Sequence, residues 1–211
     1  MRRATAFVAA VAAVAGLTLF SAGPASAEAG CRDTWTMGVG GFQIRWDGVP
    51  NFGQDSVYIP ANQRVGYNSA DLWSGVREVD RLFRGYRNRC PGSHIKMLGH
   101  SGGAAVLHMW VAQHKYEPNA TAILIADPKR AAGPGGDGIA GNPVAALVGL
   151  YGTDSDFGDF PVLTVCNAGD WVCNEDAGLH GYLWTGVHAN YDMNPWNYPN
   201  WISGQWYRGI Y

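Results

Sequence analysis

Charged residues are scarce in this chain of 211 residues, and neither sign of charge dominates. Only 15% of the residues are Asp, Glu, Lys or Arg, whereas an average globular domain has about 25%. The formal net charge of −2 excludes a nucleic-acid binder that works through a basic field. Low charge together with 47% hydrophobic and 12% aromatic residues also excludes a disordered chain. The length fits one domain.

The chain also has few long hydrophobic runs. The longest lies at the N-terminus. Two arginines follow the first methionine, residues 6–20 are apolar or small, and an Ala-Ser-Ala sequence ends at residue 27. We predict a signal peptide over residues 1–27, since the run is short and alanine-rich for a membrane span. The alternative is an uncleaved anchor. Residues 28–211 are predicted to form a single secreted domain, free or associated with the cell wall, without stable membrane insertion.

Cysteine is limited to four residues, all in the predicted mature part: Cys31, Cys90, Cys166 and Cys173. An even number of cysteines outside the cytoplasm predicts disulfide bonds. The close pair most simply closes a short loop from Cys166 to Cys173, which leaves Cys31 to pair with Cys90. The alternative is a zinc site, but the close pair has no neighbouring ligand pair at zinc spacing. We therefore predict two disulfides and no metal.

Predicted strands and helices alternate along the mature chain. Short apolar runs predict strands at residues 34–39, 57–59, 94–98, 121–126 and 161–166.

Two helices are predicted between these strands. Apolar residues at helical spacing predict an amphipathic helix over residues 72–86, with Asn68 or Ser69 as its cap. An apolar segment over residues 104–114 predicts a second, buried helix, and one helical turn is expected near residues 144–150. The alternation of strands with helices predicts an α/β sandwich around a mostly parallel sheet.

Residues 99–103 read Gly-His-Ser-Gly-Gly, which fits the G-x-S-x-G motif between a predicted strand and a predicted helix. The turn at the serine of this motif is so sharp that side chains at the flanking glycines would collide with the strand or the helix. It lifts the hydroxyl of Ser101 above the sheet, where N–H groups at the start of the helix can stabilise an oxyanion. We predict Ser101 as a nucleophile and the Gly102 N–H as the first oxyanion donor. The alternative is a tight turn that contains a serine without a catalytic role.

A nucleophilic serine needs a histidine as base and a carboxylate that orients the histidine, and α/β hydrolases place them in the chain order serine, acid, histidine. Asp170 follows the last predicted strand and lies between Cys166 and Cys173, whose bridge would fix the turn. Asp127, at the end of the preceding strand, is the competing acid, and we favour Asp170 because of its position. We interpret four further aspartates as solvated loop charges: Asp154, Asp156, Asp159 and Asp176. The alternative for residues 154–159 is a calcium site, although the segment lacks EF-hand spacing.

Four histidines follow the predicted nucleophile: His108, His114, His180 and His188. The first two lie on the predicted helix that leaves the serine turn and point away along it, so we predict that they are structural. His180 and His188 remain as candidate bases.

These motifs resemble the cutinase family of serine esterases. That family has G-Y-S-Q-G at its nucleophile, a G-D-P turn, a C-x-x-x-D-x-x-C segment with the catalytic aspartate inside the bridge, and an H-x-x-Y segment. The corresponding segments of this chain are residues 99–103, 126–128, 166–173 and 188–191. The resemblance extends over roughly residues 31–191, and the bridged aspartate is its most specific part.

The resemblance implies a cutinase-like α/β-hydrolase sandwich, with a mostly parallel central sheet and helices on both faces. It implies a catalytic triad of Ser101, Asp170 and His188, because His188 begins the H-x-x-Y segment, while His180 remains the alternative base. It also implies a bridge from the N-terminal region to the residue ahead of the nucleophile strand, which fits a disulfide between Cys31 and Cys90.

The chain departs from the family at the predicted oxyanion hole. Gly102 stands where the family has glutamine, and its backbone N–H survives that change. Residues 40–43 read Gly-Gly-Phe-Gln, without the family's hydroxyl residue, and are more similar to the double-glycine loop of mycobacterial PE-PPE hydrolase domains. We predict the backbone N–H of Phe42 or Gln43 as the second donor. Because Trp184 also lies between the predicted acid and base, hydrolysis of polyester or cutin does not follow from the resemblance.

Residues 191–211 are rich in aromatic side chains: Tyr191, Trp196, Tyr198, Trp201, Trp206, Tyr207 and Tyr211. We expect these rings to pack the segment onto the sheet, because Trp and Tyr bury large areas. The alternative is that exposed rings stack on sugars or bind an apolar chain.

Taken together, the motifs predict a secreted, monomeric serine hydrolase that cleaves carboxylic esters without a metal or an organic cofactor. The expected partner is an ester substrate, which is a lipid, a polyester or an acylated wall polymer, and no nucleic acid is expected. The alternative is a non-catalytic protein that binds carbohydrate or a cell surface on a degenerate hydrolase scaffold.

Overall fold

The computed structural model of the chain describes residues 30–42 and 57–209. The predicted signal peptide over residues 1–27 lies outside these ranges, as do Gln43 and Tyr211. Within the described ranges, no helix is both long enough and apolar enough to cross a membrane.

Six parallel strands form one sheet in the order β2-β1-β3-β4-β5-β6. The strands are β1 (Thr34–Val39), β2 (Gln63–Val65), β3 (His94–His100), β4 (Ala120–Ile125), β5 (Val162–Asn167) and β6 (Gly204–Arg208). The strand order reverses at β1, and at such a point the loops that follow the neighbouring strands separate and leave a crevice. Val39 lies opposite Gly99 in the register of β1 and β3, so the loops after these two strands begin side by side.

Helical segments cover both faces of the sheet. Two long helices, α1 (Leu72–Arg89) and α2 (Gly102–Gln113), pack together on one face. The other face is covered by Ile59, by Tyr198 and by the 3₁₀-helix Pro195–Asn197. Shorter helices lie in the connections: α3 (Leu179–Trp184) and the 3₁₀-helices Ile139–Gly141, Pro143–Val148, Glu175–Ala177 and Val187–Ala189. This arrangement confirms the predicted α/β-hydrolase-like sandwich.

Most elements lie where the sequence predicts them. β1 has the predicted bounds, and β3, β4, β5 and the two long helices differ from prediction by a few residues at their ends. The turn expected near residues 144–150 is present, whereas β2 was not predicted. The strand predicted at residues 57–59 is wrong. This segment forms a turn in which Ile59 packs over Gly38 on the face of the sheet, because β2 already occupies the edge of β1.

The predicted caps of α1 are also wrong. The helix is capped by Asp71, whose side chain accepts a hydrogen bond from the backbone N–H of Ser74 at 3.2 Å. The side chain of Asn68 instead accepts from the N–H of Ala70 at 3.0 Å, within the turn that precedes the helix. Aspartate is as good a cap as asparagine or serine, so the local preference could not separate these candidates.

Both predicted disulfides are present. The bond between Cys31 and Cys90 ties the segment before β1 to the end of α1. The bond between Cys166 and Cys173 closes the turn that follows β5. All four cysteines are therefore bonded, and they are not available as zinc ligands.

The aromatic C-terminal segment provides a strand that the sequence did not predict, since β6 pairs with β5 at the edge of the sheet. Its tyrosines pack as expected: Tyr198 is buried, and Tyr191 and Tyr207 pack against the core beside it. The tryptophans of the segment are more exposed: Trp196 by 48%, Trp201 by 64% and Trp206 by 38%. The packing prediction therefore holds for the three described tyrosines, and it does not hold for the tryptophans.

Candidate active site

The turn that carries Ser101 connects β3 to α2. Ser101 has φ 56° and ψ −123°. A backbone conformation with positive φ costs a non-glycine residue about 1–3 kcal/mol and marks functional sites. A Cβ on Gly99 would lie 2.5 Å from the carbonyl oxygen of Gly103, and a Cβ on Gly103 would lie 2.1 Å from that of Val39. Both positions therefore require glycine, as the motif predicts.

The loop after β1 lies directly against this turn. A Cβ built on Gly41 would lie 3.5 Å from Oγ of Ser101, and a Cβ built on Gly102 would lie 3.1 Å from the backbone nitrogen of Phe42. The backbone nitrogen of Phe42 is therefore a neighbour of Gly102 beside the serine turn, where an oxyanion donor is needed. Gln43, the alternative second donor, lies outside the described residues.

Asp170 and His188 form a hydrogen-bonded pair beside the serine turn. Nδ1 of His188 lies 2.9 Å from Oδ2 and 3.0 Å from Oδ1 of Asp170. Asp170 is fully buried, and its carboxylate also accepts from the backbone N–H of Val172 at 3.1 Å and from the hydroxyl of Tyr191 at 2.7 Å. These contacts hold the carboxylate in one orientation, so the imidazole directs Nε2 away from it.

Tyr191 and Asn167 hold this pair in place. Burial and the nearby carboxylate of Asp170 raise the pKa of Tyr191 well above its ordinary value, so its hydroxyl stays protonated and donates a hydrogen bond to that carboxylate. The same hydroxyl accepts from the backbone N–H of Asn167 at 2.9 Å. The amide of Asn167 donates to the carbonyl oxygens of Val187 at 3.3 Å and Asn190 at 2.9 Å, on either side of the histidine.

Ser101 and His188 line the same cavity, which has a volume of about 470 Å³. A second cavity of about 170 Å³ has a wall of apolar side chains, which include Leu72, Ile139, Leu150 and Val172. Ser101, Phe42 and Tyr182 line both cavities, so the serine lies between a larger space that contains the histidine and a smaller apolar space.

The competing base lies apart from this cluster of contacts. His180 lies on α3, where it is exposed, and its ring stacks on Trp184 at a centroid distance of 5.7 Å. The ring of His188, in contrast, contacts the rings of His100 at 4.8 Å and Tyr182 at 4.9 Å.

The competing acid, Asp127, is hydrogen-bonded to a different histidine, His108. It is fully buried, and its Oδ2 lies 2.7 Å from Nδ1 of His108 on α2. Nε2 of His108 lies 3.0 Å from Oδ1 of Asp154, so this exposed loop aspartate, interpreted from the sequence as a solvated charge, also pairs with the buried histidine. Asp156 on the same loop is exposed and pairs with Lys115. Among the described residues, no cluster of His, Cys, Asp and Glu could hold a metal ion.

We expect the buried His108 to make the free energy of unfolding depend on pH. Burial would lower its pKa, but the carboxylates of Asp127 and Asp154 outweigh burial and raise the pKa above 6.5. A raised pKa in the folded state stabilises the protein fully below the unfolded pKa, and this contribution is lost as pH rises through the folded pKa. Denaturant unfolding measured at increasing pH above 6.5 should therefore show a decline in the wild type that His108→Gln lacks.

The matched control is His180→Gln, which changes an exposed histidine of the same protein. It should keep the wild-type decline in unfolding free energy. An equally steep decline in His108→Gln would contradict the assignment of this pH dependence to the buried pair.

Three aromatic residues of the site were not predicted from the sequence: Tyr58, His100 and Tyr182. His100 lies inside the G-x-S-x-G motif, but the motif assigns no role to that position. Tyr58 and Tyr182 have no local pattern that marks them, because the fold alone brings them to the cavity.

Comparison with known proteins gives one family and several similar folds. Residues 45–205 match the family model described as Cutinase. A cutinase-like protein from Cryptococcus sp. has a similar structure, with a TM-score of 0.54 and 16% sequence identity over 85% of this chain and 100% of that chain. An acetylxylan esterase has a TM-score of 0.47 and 14% identity over 76% of this chain and 91% of that chain. No protein of curated function matches the chain in sequence.

Proposed function

We propose, since the chain belongs to the cutinase family, that it hydrolyses carboxylic esters with Ser101 as nucleophile, His188 as base and Asp170 as the residue that orients the base. The observation that carries this proposal is the geometry around one cavity. Ser101, in a strained turn, lines the same cavity as His188. Nδ1 of His188 is hydrogen-bonded to the buried carboxylate of Asp170. Serine hydrolases of unrelated folds share this set of roles.

The proposed reaction proceeds in two halves. Oγ of Ser101 attacks the acyl carbon while Nε2 of His188 accepts the hydroxyl proton, and Asp170 stabilises the imidazolium through Nδ1–H. The tetrahedral oxyanion accepts hydrogen bonds from the backbone N–H groups of Gly102 and Phe42. His188 then protonates the departing alcohol. In the second half, a water loses a proton to His188 and attacks the acyl carbon, the bond to Oγ of Ser101 breaks, and His188 returns the proton to Oγ as the acid leaves.

The two cavities suggest how an ester lies across the serine. We assign the acyl chain to the apolar cavity walled by Leu72, Ile139 and Leu150, because apolar surface is removed from water there. The alcohol portion then lies in the larger cavity on the side of His188. A lipid, a polyester or an acylated wall polymer offers such an ester.

We also propose that the protein acts outside the cell as a monomer after removal of residues 1–27. The two disulfides support this location, because such bonds persist in oxidising compartments.

A fluorophosphonate tests the proposed nucleophile, because it reacts with a serine hydroxyl that a neighbouring base has activated. We expect peptide mass mapping to find the label on Ser101 in the folded protein and no label after denaturation. Ser69 is an internal control, since it lines the apolar cavity together with Ser101 but has no role in the proposed triad.

Label on Ser69 alone, or equal labelling of folded and denatured protein, would contradict the proposal. A folded protein that stays unlabelled would favour the alternative of a non-catalytic binding protein, for which the exposed Trp196 and Trp201 are the observations in favour.

A further inference from the structure

His100 is the last residue of β3 and directly precedes the proposed nucleophile. It is buried, and both of its ring nitrogens are within hydrogen-bond distance of a partner. Nδ1 lies 2.8 Å from the hydroxyl of Tyr58, and Nε2 lies 2.9 Å from the backbone carbonyl oxygen of His188.

These partners determine where the proton of His100 lies. The carbonyl oxygen of His188 can only accept, so Nε2 must carry a hydrogen. Burial and the neighbouring His188 lower the pKa of His100 to about 4, so the ring is neutral at neutral pH. Nδ1 therefore has no proton and accepts a hydrogen bond from the hydroxyl of Tyr58.

The hydrogen bonds continue beyond Tyr58 to the loop after β1. The oxygen of Tyr58 accepts a hydrogen bond from the backbone N–H of Gly41 at 2.9 Å. Gly41 directly precedes Phe42, the proposed second oxyanion donor. A chain of three hydrogen bonds thus connects the oxyanion loop to the segment that carries the proposed base, and it passes beside Ser101.

We propose that His100 is a positioning residue, which holds the His188 segment and the loop at Gly41 and Phe42 in a fixed relation to Ser101. This role rests on the proposed function. His100 holds the base through a main-chain carbonyl and a ring contact, whereas Asp170 holds it through Nδ1. Two independent attachments matter because a displacement of about 1 Å in an active site can cost about 10²-fold in rate.

The first test replaces the ring nitrogens and keeps the ring. We expect His100→Phe to lower kcat by about 10- to 100-fold with KM within about threefold, because misplacement affects the reacting groups more than substrate contacts. His100→Gln keeps one donor and one acceptor, and it should recover most of the lost kcat. Rates are measured with a soluble p-nitrophenyl ester on variants whose thermal unfolding has been checked.

His94→Phe is a matched control on the same strand. His94 lies at the other end of β3, it is buried, and its ring nitrogens contact Asn119 and Thr121 at 3.2 Å each. Its replacement should destabilise the protein and leave kcat within about twofold. The control separates a loss of positioning from the general cost of removing a buried histidine.

Tyr58→Phe provides an independent test that removes one oxygen atom. It should lower kcat in the same direction, and the double variant with His100→Phe should lose less than the sum of the two effects in free energy, because both changes break one chain. If His100→Phe fails to fold, Tyr58→Phe and His100→Gln still test the proposal. Full activity of Tyr58→Phe together with a 100-fold loss of kcat in His100→Gln would overturn it.

The positioning proposal would also be overturned if kcat of His100→Phe lay within twofold of wild type, or if His94→Phe lost as much kcat as His100→Phe. Ser101→Ala distinguishes these results from a failure of the proposed function. If Ser101→Ala is inactive, the function stands and the variants of His100 test positioning alone. If Ser101→Ala keeps full activity, the triad is wrong and the positioning role falls with it.

Discussion

Replacing His188 with alanine is expected to lower kcat by about 10⁴- to 10⁶-fold, whereas His180→Ala should leave kcat within about twofold. The large loss follows because without the imidazole no group accepts the proton of Ser101 or returns it to the leaving alcohol. The small effect follows because His180 is exposed on α3 and stacks on Trp184 rather than on the acid.

Initial rates with p-nitrophenyl esters measure both variants, and circular dichroism checks that each is folded. KM should change little in the His188 variant, since the imidazole acts on protons in the transition state. The reverse ranking, with His180→Ala inactive and His188→Ala active, would show that the wrong histidine has been assigned.

Asp170→Asn is expected to lower kcat by about 10⁴-fold without unfolding the protein. The asparagine has the shape of the aspartate, but it offers one acceptor oxygen to groups that all donate: Nδ1–H of His188, the N–H of Val172 and the hydroxyl of Tyr191. Its NH₂ group would face a donor, and the imidazole would be driven to the wrong tautomer.

Asp127→Asn is the matched control, because Asp127 is also a fully buried aspartate bound to a histidine. It should lower the free energy of unfolding by about 3–5 kcal/mol through the loss of its pair with His108. Turnover by the fraction that remains folded should stay within a few-fold of wild type. Equal losses of kcat in the two variants would contradict the assignment of Asp170.

The parts of the site that the sequence predicted are those with a local pattern. Ser101 lies in a turn whose glycines are required within five residues, and Asp170 lies inside a short loop closed by two cysteines. Helix α1 likewise has an apolar face that repeats along its length. In each case neighbours along the chain determine the structure, so the pattern is visible in the sequence.

The parts that the sequence did not predict depend on contacts between distant segments. His100 and the carbonyl of His188 are 88 residues apart, and His108 and Asp154 are 46 residues apart. Neither contact has a spacing that repeats along the chain. β6 was missed for a related reason: its residues are mostly exposed and alternate only weakly, so pairing with β5 rather than its own composition makes it a strand.

The apolar wall of the smaller cavity has a consequence for how substrate range can change. Ile139 and Leu150 belong to the long connection between β4 and β5, whereas the proposed nucleophile, acid and base lie after β3 and β5. Side chains of that connection can reshape the proposed acyl space, whereas its backbone also supports the loop of the proposed acid, because the N–H of Ile139 donates to the carbonyl oxygen of Val172 at 3.1 Å. Chain-length preference is therefore expected to change through side chains such as Ile139 and Leu150, with the backbone of the connection kept.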